Sequence, residues 1–209
     1  MPCTDIYLVR HAESYANIEG RFCARPPGPG LTPRGRQQAE AACRRLIASG
    51  VRPALILSSP MRRALETASP LCEASGLVAE VHPDLTETGL GVWEGLTAND
   101  LQASKQYRTW LADPETFPPP GGERLSQMAS RVARVLHEVA PRSVGHAIAA
   151  FSHMHPIVAL VLSAQGRPFG EHRRVGVPNC GIVHVRWDGA ALRVVDIDPG
   201  LPLLEPPNA

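Results

Sequence analysis

The sequence has 209 residues, of which 44% are hydrophobic, and its formal net charge at pH 7 is +1. This length and apolar content are enough for a buried core and argue against a disordered or coiled-coil protein. The near-neutral charge argues against bulk nucleic-acid binding, which needs a basic face, so any selectivity for anions has to come from a local cluster.

Targeting and cysteine patterns point to an intracellular protein. No stretch approaches the roughly 18 to 20 consecutive apolar residues of a membrane span, and residues 1–5 lack the basic start of a secretory signal. The five cysteines are odd in number, scattered and without Cys-x-x-Cys spacing, so they indicate neither a disulfide framework nor a zinc site. We expect a cytoplasmic protein without a membrane or nucleic-acid partner; the oligomeric state stays open.

Strands and helices alternate in the first part of the chain. A buried strand is predicted over residues 5–9, and a helix over residues 33–50 has its apolar residues on one face. A strand over 54–57, a helix over 60–75 and a weaker strand over 77–81 follow. Such alternation predicts an α/β fold, a three-layer sandwich with a mainly parallel central sheet flanked by helices.

The middle of the chain interrupts this alternation. Residues 83–122 are rich in glycine and turn residues and are interpreted as an insertion over the sheet edge, with a helix over 97–113 and a loop at FPPPGGE. Regular structure resumes with a helix over 124–139, a strand over 147–151, a helix over 155–165 and strands over 182–187 and 192–197, joined by an Asp188-Gly189 turn. The tail, about 199–209, is expected to be frayed, and residues 1–209 are predicted to form one domain.

Two histidines follow predicted buried strands in the same way. His11 comes directly after IYLVR and His153 after AIAAFS, and the strand ALIL ends in a segment that contains Arg63. In a parallel sheet the carboxyl ends of the strands lie on one side, where ligand crevices form. These distant residues are therefore expected to meet in space.

Arginines and histidines on one rim favour a phosphate dianion, because a guanidinium group binds two phosphate oxygens at once. A neutral imidazole nitrogen is a competent nucleophile when a hydrogen bond holds its other ring nitrogen, which suits His11. The second histidine, protonated near the phosphate, would stabilise charge on the transferring group. Glu87 is the best candidate for the general acid, because a carboxyl group beside a phosphate and behind apolar neighbours should have a raised pKa, and Glu94 is its rival.

Six motifs in this order resemble the histidine phosphatase superfamily, whose members are also called phosphoglycerate-mutase-like proteins. They extend over nearly the whole chain and are RHAES with Asn17, LTPRGRQQA, SSPMRRALETA, LTETGLGVWEG, PGGE and FSH. The resemblance implies that His11 is phosphorylated and that water later removes the phosphoryl group, without a metal or other cofactor. The catalytic residues it implies are His11, Arg10, Arg63, Glu87 and His153.

The residues expected to contact the substrate are Asn17, Ser14, Arg21, Ser152 and Met154. The chain departs from the family pattern at Ala12, which replaces a glycine, and at Met154 and His155, which replace the glycines after the second histidine. Arg124 stands where the family often has serine, and residues 21–30 lack its usual tryptophan and glycine.

The sequence favours a phosphomonoesterase that acts on a small phosphorylated metabolite. One alternative is a mutase dependent on 2,3-bisphosphoglycerate, although the mutases are usually longer, with an extra helical insertion. Another is a non-catalytic module that binds a phospho-ligand or a protein. A metal pair at His153 and His155 is disfavoured because no carboxylate cluster accompanies it.

Overall fold

The computed structural model describes residues 3–198 and has a six-stranded sheet at its centre. The strands are β1 (Thr4–Arg10), β2 (Pro53–Ser58), β3 (Glu80–Val81), β4 (Ala147–Ser152), β5 (Ile182–Trp187) and β6 (Leu192–Asp198). Their order across the sheet is β3-β2-β4-β1-β5-β6. The pairings among β3, β2, β4 and β1 are parallel, whereas β5 is antiparallel to both β1 and β6.

Helices cover both faces of this sheet. They are α1 (Tyr15–Ile18), α2 (Pro33–Ala48), α3 (Arg62–Ser75), α4 (Ala98–Leu101), α5 (Lys105–Ala112), α6 (Leu125–Val139) and α7 (Met154–Ala164). Helices α2 and α3 pack on one face and α6 and α7 on the other, which confirms the predicted three-layer α/β fold. Between residues 3 and 198, no helix is both long and apolar enough to cross a membrane.

The alternating side chains of β1 show how the sequence produces these layers. Ile6 and Leu8 are fully buried against the α6 and α7 side, whereas Val9 is buried on the α2 and α3 side. Successive side chains of a strand point to opposite faces, so a strand buried on both faces is apolar at nearly every position.

The register of the parallel strands brings their carboxyl ends into one layer. Arg10 at the end of β1 pairs with Ser152 at the end of β4, and Ser58 at the end of β2 pairs with Phe151. The residues that directly follow the three strands therefore lie next to one another, as the sequence predicted.

Two predicted elements differ from the structure. The strand expected over 77–81 contains only Glu80 and Val81, at the edge of the sheet, where Val78 is 87% exposed. The helix expected over 97–113 is divided into α4 and α5, because the Ser104 side chain accepts the Tyr107 N–H and starts a new helix. The predicted frayed tail lies outside the described residues.

Helix α2 begins against the segment that follows β1. Thr32 caps the helix by accepting the Gly35 N–H over 2.9 Å, and its hydroxyl donates to the Glu13 carboxylate over 2.7 Å. A Cβ atom on Gly35 would lie only 2.0 Å from the Glu13 carbonyl oxygen. Glycine is thus required here for the close approach of two backbones, one of which carries His11 two residues earlier.

We predict that Gly35→Ala destabilises the protein by about 1–3 kcal/mol, because the added methyl group overpacks a backbone contact. The measurement is urea unfolding followed by circular dichroism. Gly170→Ala is the matched control, since nothing lies within 4 Å of a Cβ atom there, and we expect a change within about 0.5 kcal/mol. Equal stability of Gly35→Ala and the wild type would contradict the close-approach argument.

Candidate active site

The two predicted histidines meet at the carboxyl ends of β1 and β4. The ring centroids of His11 and His153 are 5.1 Å apart, and the two residues are 2% and 0% exposed. The His11 backbone N–H donates to the Ser152 carbonyl over 3.0 Å, which continues the β1–β4 pairing by one residue. The structure thus brings together residues that are 142 positions apart in sequence, His11 and His153.

The His11 ring has one defined tautomer. Nδ1 lies 2.7 Å from the Ala12 carbonyl oxygen, which can only accept, so Nδ1 carries the proton. Nε2 then has a free electron pair and accepts a hydrogen bond from Arg63 Nε over 3.1 Å. This is the arrangement that nucleophilic attack through Nε2 requires.

The surroundings keep His11 neutral. Burial, followed by the charges of Arg63 and Arg10, lowers the pKa of His11 to about 3. Desolvation and nearby cations both disfavour the imidazolium form. His11 is therefore an unprotonated base throughout the neutral pH range.

Arg10 and Arg63 are held by backbone carbonyl groups. Arg10 Nη1 donates to the Val177 carbonyl over 2.7 Å, and Arg63 Nη2 donates to the Cys23 carbonyl over 2.9 Å. Arg63 lies in the first turn of α3 and is 3% exposed. Arg10 Nε and Arg63 Nη1 are buried without a hydrogen-bond partner, so each guanidinium retains a donor for an anion.

His153 is anchored through one ring nitrogen. Its Nε2 lies 2.8 Å from Ser59 Oγ, and its Nδ1 is buried without a partner. Burial and then the Arg63 charge hold the pKa of His153 well below its ordinary value. In the ligand-free protein His153 is therefore neutral, whereas the sequence reasoning placed a protonated histidine beside a bound phosphate.

Glu87 reaches the site from the segment after β3. Its Oε1 accepts the Thr88 N–H over 2.9 Å and lies 3.4 Å from His155 Nδ1. The raised pKa expected from the sequence applies to this carboxyl group beside a bound phosphate. Burial alone would raise the pKa of Glu87, but His155, His153 and the Thr88 N–H together hold it well below the ordinary value.

Glu94, the other candidate for the general acid, lies in a different place. The Glu94 carboxylate accepts the backbone N–H groups of Ala24 and Arg25 at 3.0–3.1 Å and so fixes the loop that precedes α2. It is not among the residues that line the cavity beside His11. The geometry therefore favours Glu87 over Glu94 as the carboxyl group next to the histidines.

That cavity has a volume of about 270 Å³. Its floor is formed by Arg10, His11, Arg63 and Glu87, and its walls include Leu90, Ala98, Tyr107 and His155. Tyr107 is stacked on Trp110, and Trp93 packs edge to face against both rings, in a cluster with Ala24. Residues 83–122, the predicted insertion, therefore supply much of the wall.

The substrate-contact residues expected from the sequence divide into two groups. Asn17, Arg21 and Met154 line the cavity. The Ser152 hydroxyl donates to the Leu85 carbonyl over 2.7 Å, and the Ser14 hydroxyl lies 3.0 Å from Asn17 Oδ1. Ser14 and Ser152 are fully buried and are not brought to the cavity; Ser14 instead orients Asn17.

Three supporting contacts were missed by the sequence reasoning. The Asn179 amide donates to the His11 carbonyl over 2.9 Å, and the Thr67 hydroxyl accepts the Ala12 N–H over 3.0 Å. Arg131 binds the Glu123 carboxylate at 2.7 and 3.0 Å and also donates to the Glu87 carbonyl over 3.4 Å. The turn PNCG before β5 was the available signal for Asn179, and PGGE was the signal for Glu123.

Within residues 3–198, no group of three or more histidine, cysteine, aspartate and glutamate side chains is arranged to hold a metal ion.

We predict that the His11 ring of the ligand-free protein stays unprotonated from about pH 8 down to about pH 5, because its pKa is about 3. Long-range ¹H–¹⁵N correlation spectra of histidine-labelled protein in phosphate-free buffer measure this directly, with His11→Asn to assign the signal. We expect the Nδ1–H tautomer at every pH in this range. An imidazolium signal from His11 near neutral pH would contradict the predicted electrostatics.

Comparison with known proteins finds several relatives of this chain. The bifunctional protein Rv2228c of Mycobacterium tuberculosis (strain ATCC 25618 / H37Rv) is 34% identical over 160 residues, which are 76% of this chain and 43% of that protein. The chain thus spans less than half the length of that relative. Phosphoserine phosphatase 1 of Hydrogenobacter thermophilus (strain DSM 6534 / IAM 12695 / TK-6) is 29% identical over 184 residues, 86% of each chain.

A solved structure of a mycobacterial glucosyl-3-phosphoglycerate phosphatase complexed with VO3 matches with a TM-score of 0.80 and 29% identity. The match covers 93% of this chain and 97% of that one. The family model of the histidine phosphatase superfamily (branch 1) matches residues 6–198. The resemblance found in the sequence is therefore confirmed, and the chain belongs to the histidine phosphatase superfamily.

Proposed function

We propose that this chain is a metal-independent phosphomonoesterase that hydrolyses a small phosphorylated metabolite through a phosphohistidine formed on His11. Two proteins that it resembles over most of their length are named phosphatases. The proposal rests above all on one observation, the convergence of unsatisfied nitrogen atoms at the ends of β1 and β4.

Seven buried side-chain nitrogens within residues 3–198 have no hydrogen-bond partner. Three of them lie beside His11, on Arg10, Arg63 and His153. A buried donor without a partner costs about 1–3 kcal/mol, so a fold retains such a group only where something else compensates. The three terminal oxygens of a phosphate group can accept hydrogen bonds from several of these donors at once, and the two guanidinium charges match its dianion.

Phosphate binding would also release the nucleophile. In the ligand-free protein, Arg63 Nε donates to His11 Nε2 and so engages its electron pair. A phosphate oxygen is a stronger acceptor and would attract this donor. Nε2 would then be free to attack phosphorus, while the Nδ1–H bond to the Ala12 carbonyl holds the ring in place and stabilises the positive charge that develops.

The departing oxygen needs a proton, and Glu87 is the acidic side chain on the cavity floor. Its carboxyl group is ionised in the ligand-free protein. A bound phosphate dianion would raise the pKa of Glu87, because like charges in a buried site oppose ionisation. After the alcohol leaves, the same carboxylate can accept a proton from the water that attacks the phosphohistidine.

The cavity is at the small end of the range for ligand sites, which are typically about 300–1,000 Å³. After a phosphate group is placed on its floor, the 270 Å³ cavity has room for a compact leaving group against Leu90, Tyr107 and Met154. This supports a small metabolite rather than a phosphoprotein as the substrate.

We predict that His11→Ala lowers kcat/KM for p-nitrophenyl phosphate by about 10⁴-fold or more, because the nucleophile is lost. Phosphate release is measured in excess EDTA, with His137→Gln, an exposed position on α6, as a control expected to match the wild type. A rapid quench in alkali should trap phosphohistidine in the wild type alone.

Two outcomes would contradict the proposal. Activity retained in His11→Ala would exclude His11 as the nucleophile. Absence of turnover in the wild type would favour a mutase or a binding module, and transfer of phosphate from 2,3-bisphosphoglycerate to phosphoglycerate would then identify the mutase.

We predict that Glu87→Gln acts selectively on substrates with poor leaving groups. Hydrolysis of glycerol 2-phosphate should fall by about 10²–10³-fold, because its alkoxide has to be protonated as it leaves. The value of kcat/KM for p-nitrophenyl phosphate should fall much less, since nitrophenolate departs without a proton and kcat/KM excludes the later attack of water on the phosphohistidine. Initial rates of phosphate release at low concentrations of each ester are the measurement, and equal losses of kcat/KM for the two would contradict the role of Glu87 as the acid.

A further inference from the structure

His155 occupies an unusual position for a histidine. It is the second residue of α7, its side chain is 19% exposed, and it lines the cavity beside Glu87 and Met154. The Trp110 ring packs against it with a centroid separation of 5.8 Å.

His155 and Glu87 lie close to each other but are not joined by a short hydrogen bond. Nδ1 of His155 is 3.4 Å from Oε1 of Glu87 and has no closer partner among the described residues. Among the described residues, Thr88 donates two hydrogen bonds to this carboxylate, and both reach Oε1. Oε2 is left for a proton or for the oxygen of a leaving group.

The charge balance of the site creates a difficulty for Glu87 acting alone. His155, His153, Arg10 and Arg63 all interact electrostatically with its carboxylate. A carboxyl group that is ionised before the substrate binds has no proton to donate. A proton source within reach of Glu87 is therefore needed, and His155 has a nitrogen at the required place.

We infer that His155 shares one proton with Glu87, so that the pair, and not the carboxyl group alone, is the acid that protonates the leaving oxygen. This inference rests on the proposed phosphomonoesterase function. His155 is a positioning residue in this scheme, because it acts on the reaction through Glu87.

The proton balance is complete within the pair. Before binding, the pair holds one proton, which His155 Nδ1 and Glu87 Oε1 share across their 3.4 Å separation. The substrate dianion favours its transfer to the carboxylate, since this removes a negative charge beside the phosphate. Glu87 then gives the proton to the leaving oxygen as the P–O bond breaks and the bond from His11 Nε2 to phosphorus forms. The attacking water later returns a proton to Glu87, and from there to His155.

Two other elements contribute neighbours to His155. His172 interacts electrostatically with it from the 3₁₀ helix Phe169–Arg174, and His172 itself interacts electrostatically with Asp113 and Arg173. The helix α5 contributes the uncharged Trp110 ring.

The test compares His155→Gln with the wild type on two esters over a range of pH. We expect kcat for glycerol 2-phosphate to fall by about 10–100-fold, as for the loss of part of a general acid. The value of kcat/KM for p-nitrophenyl phosphate should change by less than about threefold, as nitrophenolate needs little protonation and kcat/KM excludes the later hydrolysis of the phosphohistidine. The alkaline limb of the kcat profile for glycerol 2-phosphate should move to lower pH. His137→Gln is the matched control and should match the wild type.

A double variant tests whether the two residues act as one acid. If they do, Glu87→Gln/His155→Gln should lose no more activity on glycerol 2-phosphate than Glu87→Gln alone. Multiplied losses, equal effects on the two esters or an unchanged pH profile would overturn the inference. Any of these three outcomes would be compatible with the proposed function, provided that His11→Ala is inactive. Loss of the proposed function would show separately, as a wild type that does not hydrolyse p-nitrophenyl phosphate.

Discussion

Two guanidinium groups, those of Arg10 and Arg63, are buried beside the nucleophilic histidine. Burial lowers the pKa of both arginines and the Glu87 carboxylate raises it, but both remain charged at neutral pH. Among the described residues that line the cavity, Glu87 brings the one carboxylate. The floor of the site is therefore positively charged, and burial together with this excess charge keeps His11 and His153 neutral.

Two buried guanidinium groups stay beside the histidine only if the surrounding structure prevents their side chains from moving away. Backbone carbonyls of Val177 and Cys23 hold the two guanidinium groups. The His11 backbone N–H donates to Ser152, and its carbonyl accepts from Asn179. These anchors come from the end of β4, the loop before α2 and the segment before β5, so parts of the chain distant in sequence position the donors before a phosphate binds. Preorganised donors of this type need no rearrangement during the reaction.

The sequence allowed the floor of the site to be predicted because strand ends in a parallel sheet lie on one side. His11 and His153 follow buried strands directly, so their meeting required only the correct sheet order. Ser152 shows the limit of that argument. It is adjacent to His153 in sequence, but strand alternation turns its hydroxyl toward the Leu85 carbonyl and away from the cavity.

Contacts between distant parts of the chain account for the features of the site that the sequence does not predict. The low pKa of Glu87 depends on His155, and the position of Glu87 depends on Arg131, which comes from α6. Asn179 reaches His11 from a turn in which Cys180 has a φ of +58°, a conformation that sequence alone does not indicate for cysteine. The extent of a single domain over 1–209 and the cytoplasmic location remain predictions.

The burial that makes His11 a nucleophile also links the stability of the protein to pH. In the unfolded chain a histidine has a pKa of about 6.5, whereas the folded value for His11 is about 3. The unfolded state thus binds more protons, and the contribution of His11 to stability is full above about pH 6.5 and is lost as the pH falls toward 3. The lowered pKa of His153 acts in the same direction. A phosphate monoester loses its second proton near pH 6, so the acid limb of the reaction should follow ionisation of the substrate, because His11 remains neutral far below that pH.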